Sequence, residues 1–285
     1  MNFKASIVVP VFNSETYISS AIESILNQDE ADFQLIIAND GSTDNTLEII
    51  NDFRKQDKRI EVYSHKNKGM GETLNEAIEK SKSNIIFRMD SDDIMQSNRI
   101  KKQLTFLKKN SDIHFSSCFY ELIDEKGNIL GRKSSDLVTN KAVKNKLAKD
   151  KVFGILHPGA VFYRDFFLKV GGYRKQFWPC DDIDLWARMI ESGGRIRVQP
   201  EFLMKYRIHC SSISMNQINK NKLLLQWVKA CKEARKNKEK EPTYQVFIKR
   251  NSKRSLLLKL NDKRKRYAFY FASKAKFMLL KKNII

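Results

Sequence analysis

The chain has 285 residues, 41% apolar and 30% charged, a globular composition for one large or two small domains that excludes a disordered or fibrous chain. Its net charge of +20 is uneven: residues 215–285 hold 21 Lys and Arg against 4 Asp and Glu, so the preceding part is close to neutral. Cys118, Cys180, Cys210 and Cys231 show no CxxC spacing, which argues against a zinc or dithiol motif, and no run of about 18 apolar residues could span a membrane. A reducing cytoplasm suits the cysteines, and Met1–Lys4 leaves no room for a leader before the first strand, so a cytoplasmic location is expected.

Ala5-Ser6-Ile7-Val8-Val9 predicts a buried first strand that ends at Pro10-Val11-Phe12-Asn13. Ser14 is the expected cap of a helix whose Tyr17, Ile18, Ala21, Ile22, Ile25 and Leu26 form one stripe. Phe33 to Ala38 reads as a second strand, followed by Asn39-Asp40-Gly41-Ser42-Thr43-Asp44 and a helix carrying Leu47, Ile50 and Phe53. Ile60 to Tyr63 is a third strand. Asn67-Lys68-Gly69-Met70-Gly71 then forms a loop before a helix with Leu74, Ala77 and Ile78. Ser83-Asn84-Ile85-Ile86-Phe87 is the fourth strand. Such alternation predicts an α/β fold with a doubly wound, mostly parallel sheet. Ligands of these sheets sit beyond the carboxyl ends of the strands, where both Asp40 and Arg88-Met89-Asp90-Ser91-Asp92-Asp93 fall.

The three carboxylates of that last segment repel one another unless something cationic neutralises them. A divalent metal that also carries a diphosphate is one answer; a solvated acidic turn is the other. Further on, the pattern predicts a helix through Ile100, Leu104 and Leu107, and a strand over His114–Tyr120. A hairpin turn is expected at Asp124-Glu125-Lys126-Gly127-Asn128, a helix-prone stretch over 136–151 and a strand over Gly159–Tyr163. Gly171-Gly172-Tyr173 reads as a tight turn. The helix at Asp181 to Ile190 carries Asp181, Asp182 and Asp184 in its first turn, where the helix dipole alone would favour them. Phe202 to Ile208 is the last strand of this part and ends at His209.

Taken as ordered blocks over residues 4 to 214, these segments resemble the family 2 glycosyltransferases, which have the GT-A fold. The blocks are Ile7 to Asn13, Asn39 to Asp44, Asn67 with Gly69, Arg88 to Asp93, His157-Pro158-Gly159-Ala160, Gly171-Gly172-Tyr173, Asp182-Ile183-Asp184-Leu185-Trp186 with Arg188, and Tyr206-Arg207-Ile208-His209. The Arg-Met-Asp-x-Asp-Asp variant is similar to enzymes that build bacterial capsules and lipopolysaccharide. The family's usual Glu before Asp182 is here Asp181.

The resemblance implies a catalytic domain over 1–214, with a nucleotide-sugar half over about 1–95 and an acceptor half over about 96–214, and a basic, mainly helical extension over 215–285. It implies that Pro10 and Val11 line a base pocket and that Asp40 accepts a hydrogen bond from uracil, although an Asx turn would also suit Asp-Gly. Asn67, Gly69, Arg88, Asp90 and Asp93 would lie against the donor. Asp92 and His209 would hold Mn²⁺ or Mg²⁺. Asp182 would be the base and Asp181 its substitute, in an inverting transfer from a nucleotide sugar to a glycan or lipid-linked acceptor.

The tail mixes Lys and Arg with Trp227, Tyr244, Phe247, Leu256 to Leu258, Phe269 to Phe271 and Phe277 to Leu280. Helices of that pattern suit an anionic membrane surface, or a small subdomain packed on the catalytic part. No nucleic-acid recognition motif accompanies the charge, and nucleic acid is not expected as a partner. The competing classes are a nucleotidyltransferase, which would want a Gly-rich cationic loop in place of Pro10-Val11-Phe12-Asn13, and a non-catalytic, membrane-associated nucleotide-sugar-binding module. An oxidoreductase is disfavoured because no GxGxxG follows the first strand.

Overall fold

A computed structural model of the chain describes residues 3–149, 152, 154–209 and 218–252. It divides into two compact units between His209 and Cys210. The composition break at Met215 and the tail beyond Ser252, with Leu256 to Leu258, Phe269 to Phe271 and Phe277 to Leu280, lie outside the described residues.

In the first unit, β1 (Ala5–Val11) and β2 (Phe33–Asn39) are buried at every position, as strands covered on both faces must be. They pair in parallel with each other, with β3 (Ile60–Ser64) outside β2, and with β4 (Ile85–Arg88) on the other side of β1. Helices α1 (Ile18–Leu26), α2 (Thr46–Gln56) and α3 (Met70–Glu79) make the crossovers. Beyond β4 the pairing becomes mixed. β8 (Val161–Tyr163) inserts antiparallel between β4 and β6 (Phe115–Ile123). β9 (Ile196–Arg207) runs parallel to β6, and the two-residue β5 (Ile94–Met95) pairs antiparallel with the end of β9. β7 (Ile129–Lys133) forms the expected hairpin with β6.

Successive side chains of β1 and β2 feed two cores, because strand residues alternate between faces. Ile7, Val9 and Leu35 pack with Ile18, Ile22 and Ile25 of α1 and with Ile100 and Leu107 of α4 (Arg99–Lys109). Val8 and Ile36 pack with Leu74 and Ile78 of α3 and with Leu185, Trp186 and Met189 of α7 (Asp181–Glu191). Two shorter helices, α5 (Asn140–Ala148) and α6 (Arg164–Lys169), complete the unit.

Two expectations are corrected. Ser14 does not cap α1, which begins at Ile18: its carbonyl accepts from the amides of Tyr17 and Ile18, and its hydroxyl turns to Ser91. The last strand begins at Ile196 rather than Phe202, because a register shift against Cys118–Tyr120 lets it continue past an irregularity.

In the second unit, α8 (Ile218–Lys236) buries Leu224, Trp227, Val228, Cys231 and Ala234, one stripe at helical spacing. Trp227 donates from Nε1 to the Pro242 carbonyl at 2.7 Å, and its ring lies 5.0 Å from that of Tyr244, the first residue of α9 (Tyr244–Ser252). Among the described residues, no helix is long and apolar enough to cross a membrane.

Candidate active site

β4 delivers the acidic segment to the carboxyl edge of the sheet. Arg88 and Asp93 are buried, while Asp90 and Asp92 are half-buried. Oxygens of Asp90, Asp92 and Asp93 all lie within 4.8 Å of one another. Arg88 Nη2 sits 2.5 Å from Asp90 Oδ1. Burial raises the Asp90 carboxyl, Arg88 opposes that and Asp92 adds to it. Asp93 is pushed well up by burial and then by Asp92 and Asp90, and its Oδ2 has no hydrogen bond among the described residues. Three converging carboxylates, one of them with a buried oxygen that accepts no hydrogen bond among the described residues, fit a hard divalent cation.

Neighbouring elements brace this segment from both sides. The hydroxyls of Ser14 and Ser91 are 2.7 Å apart. From the end of β9, the Arg207 amide donates to Asp93 Oδ1 at 2.8 Å, Arg207 Nε donates to the Asp92 carbonyl at 2.8 Å, and His209 Nε2 lies 2.8 Å from Asp92 Oδ2. Behind the strand end, the buried Arg99 donates from Nη2 to the carbonyls of Arg88 and Ala160. Burial lowers its pKa to about 10.

Asp40 is committed to the chain itself. Its carboxylate accepts from the amides of Lys68 at 2.8 Å and Gly69 at 3.0 Å, which fixes the loop that carries Asn67. Gly41 is required there: at φ +77° a Cβ would meet the Asn67 nitrogen at 2.7 Å. Pro10 and Val11 are buried in the sheet, and the side chain offered at the end of β1 is Phe12, 49% exposed.

The second acidic group opens α7. Asp181 is buried, and its Oδ2 has no hydrogen bond among the described residues. A Cβ on Gly71, in the first turn of α3, would stand 3.3 Å from that oxygen and 3.5 Å from Tyr173 Cβ. Burial raises the Asp181 carboxyl to about 6 and that of the half-buried Asp182 to about 7, with Asp181 adding to the latter and Arg88 opposing both. The buried Tyr173 hydroxyl, pushed up by burial, feels Arg88, Asp181, Asp182 and Asp90 together, and it shares a 2.7 Å hydrogen bond with His157 Nε2. Residues 90 and 182, far apart in sequence, thus both interact electrostatically with one buried guanidinium and one buried phenol.

Asp184 faces elsewhere. Fully buried, it pairs with Arg174 and Arg188, each with a bond at 2.9 Å. Arg188 in turn donates to the carbonyls of Val170 and Gly172, and Asn75 clamps both backbone groups of Tyr173. The Asp-Leu-Trp-x-Arg pattern of residues 184–188 therefore builds the turn that holds Tyr173.

Comparison with known proteins identifies the family. A family model, Glycosyl transferase family 2, matches residues 6–171. The chain belongs to glycosyl transferase family 2. An uncharacterized glycosyltransferase of Methanocaldococcus jannaschii is 32% identical to this family 2 glycosyltransferase over 221 residues, 76% of this chain and 75% of that one. The O-antigen biosynthesis glycosyltransferase WbnJ of Escherichia coli is 32% identical over 210 residues, 73% of this chain and 80% of its own. Among solved structures, residues 1–349 of S. aureus TarS with UDP-GlcNAc superpose with a TM-score of 0.66 at 18% identity, covering 81% of this chain and 66% of that one, just under two thirds. The mannosyltransferase PcManGT of Pyrobaculum calidifontis, solved with GDP-Man and Mn²⁺, gives 0.63 at 16% identity over 98% and 85%. At such identities these two structures establish the GT-A fold alone.

Sequence reasoning on this glycosyltransferase passed over Ser91, Arg99 and Tyr173 as site builders and gave Arg207 no role. Arg99 left a trace: an arginine next to Ile100 with Gln103 four positions on, where Arg99 Nε donates to Gln103 at 2.8 Å. Arg207 lay inside a quoted block but carried no signal of its target.

Proposed function

We propose that the enzyme transfers a sugar from a nucleoside diphosphate sugar, UDP-linked in our reading, to a hydroxyl of a glycan or lipid-linked acceptor during assembly of a bacterial surface polysaccharide, with inversion at the anomeric carbon. What supports this is that the Arg88 guanidinium and the Tyr173 phenol each interact electrostatically with Asp90 of one acidic group and with Asp181 and Asp182 of the other. The nucleotide sugars bound by TarS and PcManGT support the donor class, and the name of WbnJ supports the acceptor class.

Asp92 and His209, with Asp90 and Asp93 beside them, would hold Mn²⁺ or Mg²⁺. When bound, such a cation supplies positive charge to the departing diphosphate. Arg88 adds a fixed guanidinium at the same edge. Phe12 offers an aromatic face for the base, next to the loop that Asp40 ties down. Asp182 takes the proton of the attacking hydroxyl. A carboxyl held at about 7 is matched to that task near neutral pH, and Asp181 is its fallback. Attack from the side opposite the leaving group inverts the anomeric carbon. Exposed Lys229, Lys236, Lys238, Lys240, Lys249 and Arg250 on the second unit suit an anionic membrane surface where lipid-linked acceptors reside.

The test is release of nucleoside diphosphate from a panel of UDP- and GDP-sugars, with and without Mn²⁺. Release that depends on Mn²⁺ and on one sugar nucleotide supports the reading. No release from any donor under either condition overturns it.

A further inference from the structure

Arg207 is buried at the end of β9, yet it has no carboxylate partner at its guanidinium in the described contacts that aim it. Nε donates to the Asp92 carbonyl at 2.8 Å, and Nη1 donates to the carbonyls of Asp124 and Glu125 at 2.9 and 3.1 Å. The guanidinium carbon lies 4.7 Å from the centre of the Tyr17 ring, and that ring also sits 5.2 Å from the imidazole of His209. One planar fork therefore joins the acidic segment, the tip of the β6–β7 hairpin and the entry to α1. A fork of fixed geometry resting on an aromatic face is what arginine supplies and lysine does not.

We infer that Arg207 is a positioning residue for the cation site: by gripping the Asp92 carbonyl and seating on Tyr17, it sets the direction of the Asp92 carboxylate and of His209. The inference rests on the metal role proposed for Asp92. Groups that touch ligands rather than the ion commonly govern affinity, because they decide whether the donor oxygens converge before the ion arrives. Here the backbone carbonyl and the side chain of Asp92 are held by Arg207 and His209, two residues apart on one strand end. The same guanidinium ties the hairpin tip to the cation site through the carbonyls of Asp124 and Glu125.

The experiment titrates Mn²⁺ into the full chain in the presence of UDP, with free Mn²⁺ counted by electron paramagnetic resonance, for wild type, Arg207→Lys and Arg207→Met. Both variants are expected to bind Mn²⁺ about 10- to 100-fold more weakly. Their nucleoside diphosphate release should recover toward wild-type kcat as Mn²⁺ is raised. A merely structural arginine would lower Tm and the active fraction without moving the Mn²⁺ constant. Tyr17→Leu, which removes the ring with its hydroxyl, should weaken Mn²⁺ in the same direction, and Tyr17→Phe, which removes the hydroxyl alone, should not. It decides the matter if the Arg207 variants fail to fold. Wild-type Mn²⁺ affinity in folded Arg207→Lys, or in Tyr17→Leu where the former does not fold, overturns the inference alone. A wild-type protein that binds no Mn²⁺ overturns it together with the metal reading.

Discussion

His209 Nε2 stands 2.8 Å from Asp92 Oδ2, although 117 positions of chain separate them. Parallel pairing of β9 with β6 carries His209 back to the edge where β4 ends, and β5 pairs with β9 at Ile94–Lys205 to pin the acidic segment beside it. A carboxylate and an imidazole so placed can bond each other or share one ion. His209→Ala is expected to raise the Mn²⁺ needed for half-maximal nucleoside diphosphate release by about 10- to 100-fold, and Asp92→Asn to abolish metal-stimulated release. An unchanged Mn²⁺ profile in His209→Ala would remove the histidine from the ligand set.

Asp182→Asn keeps the shape of the side chain and removes its basicity. Loss of a positioned base costs about 100- to 10,000-fold in rate. The expected result is a fall of that size in kcat with UDP binding, measured by calorimetry, close to wild type. If Asp181→Asn shows the larger loss instead, the two acids exchange roles.

The raised carboxyls of α7 give two pH signatures of opposite sense. The base acts deprotonated, so kcat/KM is expected to climb as pH rises through about 7 and to level above it. For stability, the folded value of about 7 exceeds the ordinary aspartate value, so the folded state holds the extra proton in between. That contribution is complete below about pH 4 and is lost as pH rises through about 7. Metal-free Tm is therefore expected to fall between about pH 4 and about pH 7, and Asp182→Asn to flatten the decline. Identical slopes for both proteins would show that burial does not raise this group.

Asp40 is tested through the loop it holds. Both of its oxygens accept backbone amides, and unmaking a hydrogen bond to a charged group costs about 1.5–3 kcal/mol. Asp40→Ala is expected to lower Tm and to raise KM for the sugar nucleotide, with kcat less affected. Unaltered KM would mean that the loop over 67–69 does not touch the donor.

The run from β1 to β4 was legible because its strands are buried runs bounded by Gly, Asn and Asp, and each helix shows a clean stripe. Asp40, Arg88–Asp93 and Asp181–Asp182 were legible because carboxylates crowd the places where strands end and a helix begins. The rest was not, for reasons of range. β8 enters between β4 and β6 with only Val161–Tyr163, too short to announce its direction. β5 has two residues and exists only through β9. Ser14 carries the local signal of a cap, but its hydroxyl is taken by Ser91, which no window of local sequence contains. Arg207 and Arg99 act on backbone carbonyls, and a carbonyl has no sequence signature.

The scaffold behind Tyr173 has its own weak point in Asp184. This carboxylate is fully buried and bonded to both Arg174 and Arg188, and Arg188 extends the chain of bonds to the carbonyls of Val170 and Gly172. Removing one partner of a buried ion pair typically costs about 3–5 kcal/mol, because the remaining charge stays desolvated. Gly172, at φ +60°, leaves no slack: a Cβ there would meet Asn75 Oδ1 at 2.6 Å, so the turn cannot shift toward α3. Asp184→Asn is therefore expected to lower Tm sharply and to reduce kcat even in the fraction that stays folded, since Tyr173 then loses its fixed place beside Asp181. Asp182→Asn should leave Tm near or above wild type while losing activity. A variant at Asp184 that keeps wild-type Tm would show that the arginines find other partners and that the turn does not depend on this carboxylate.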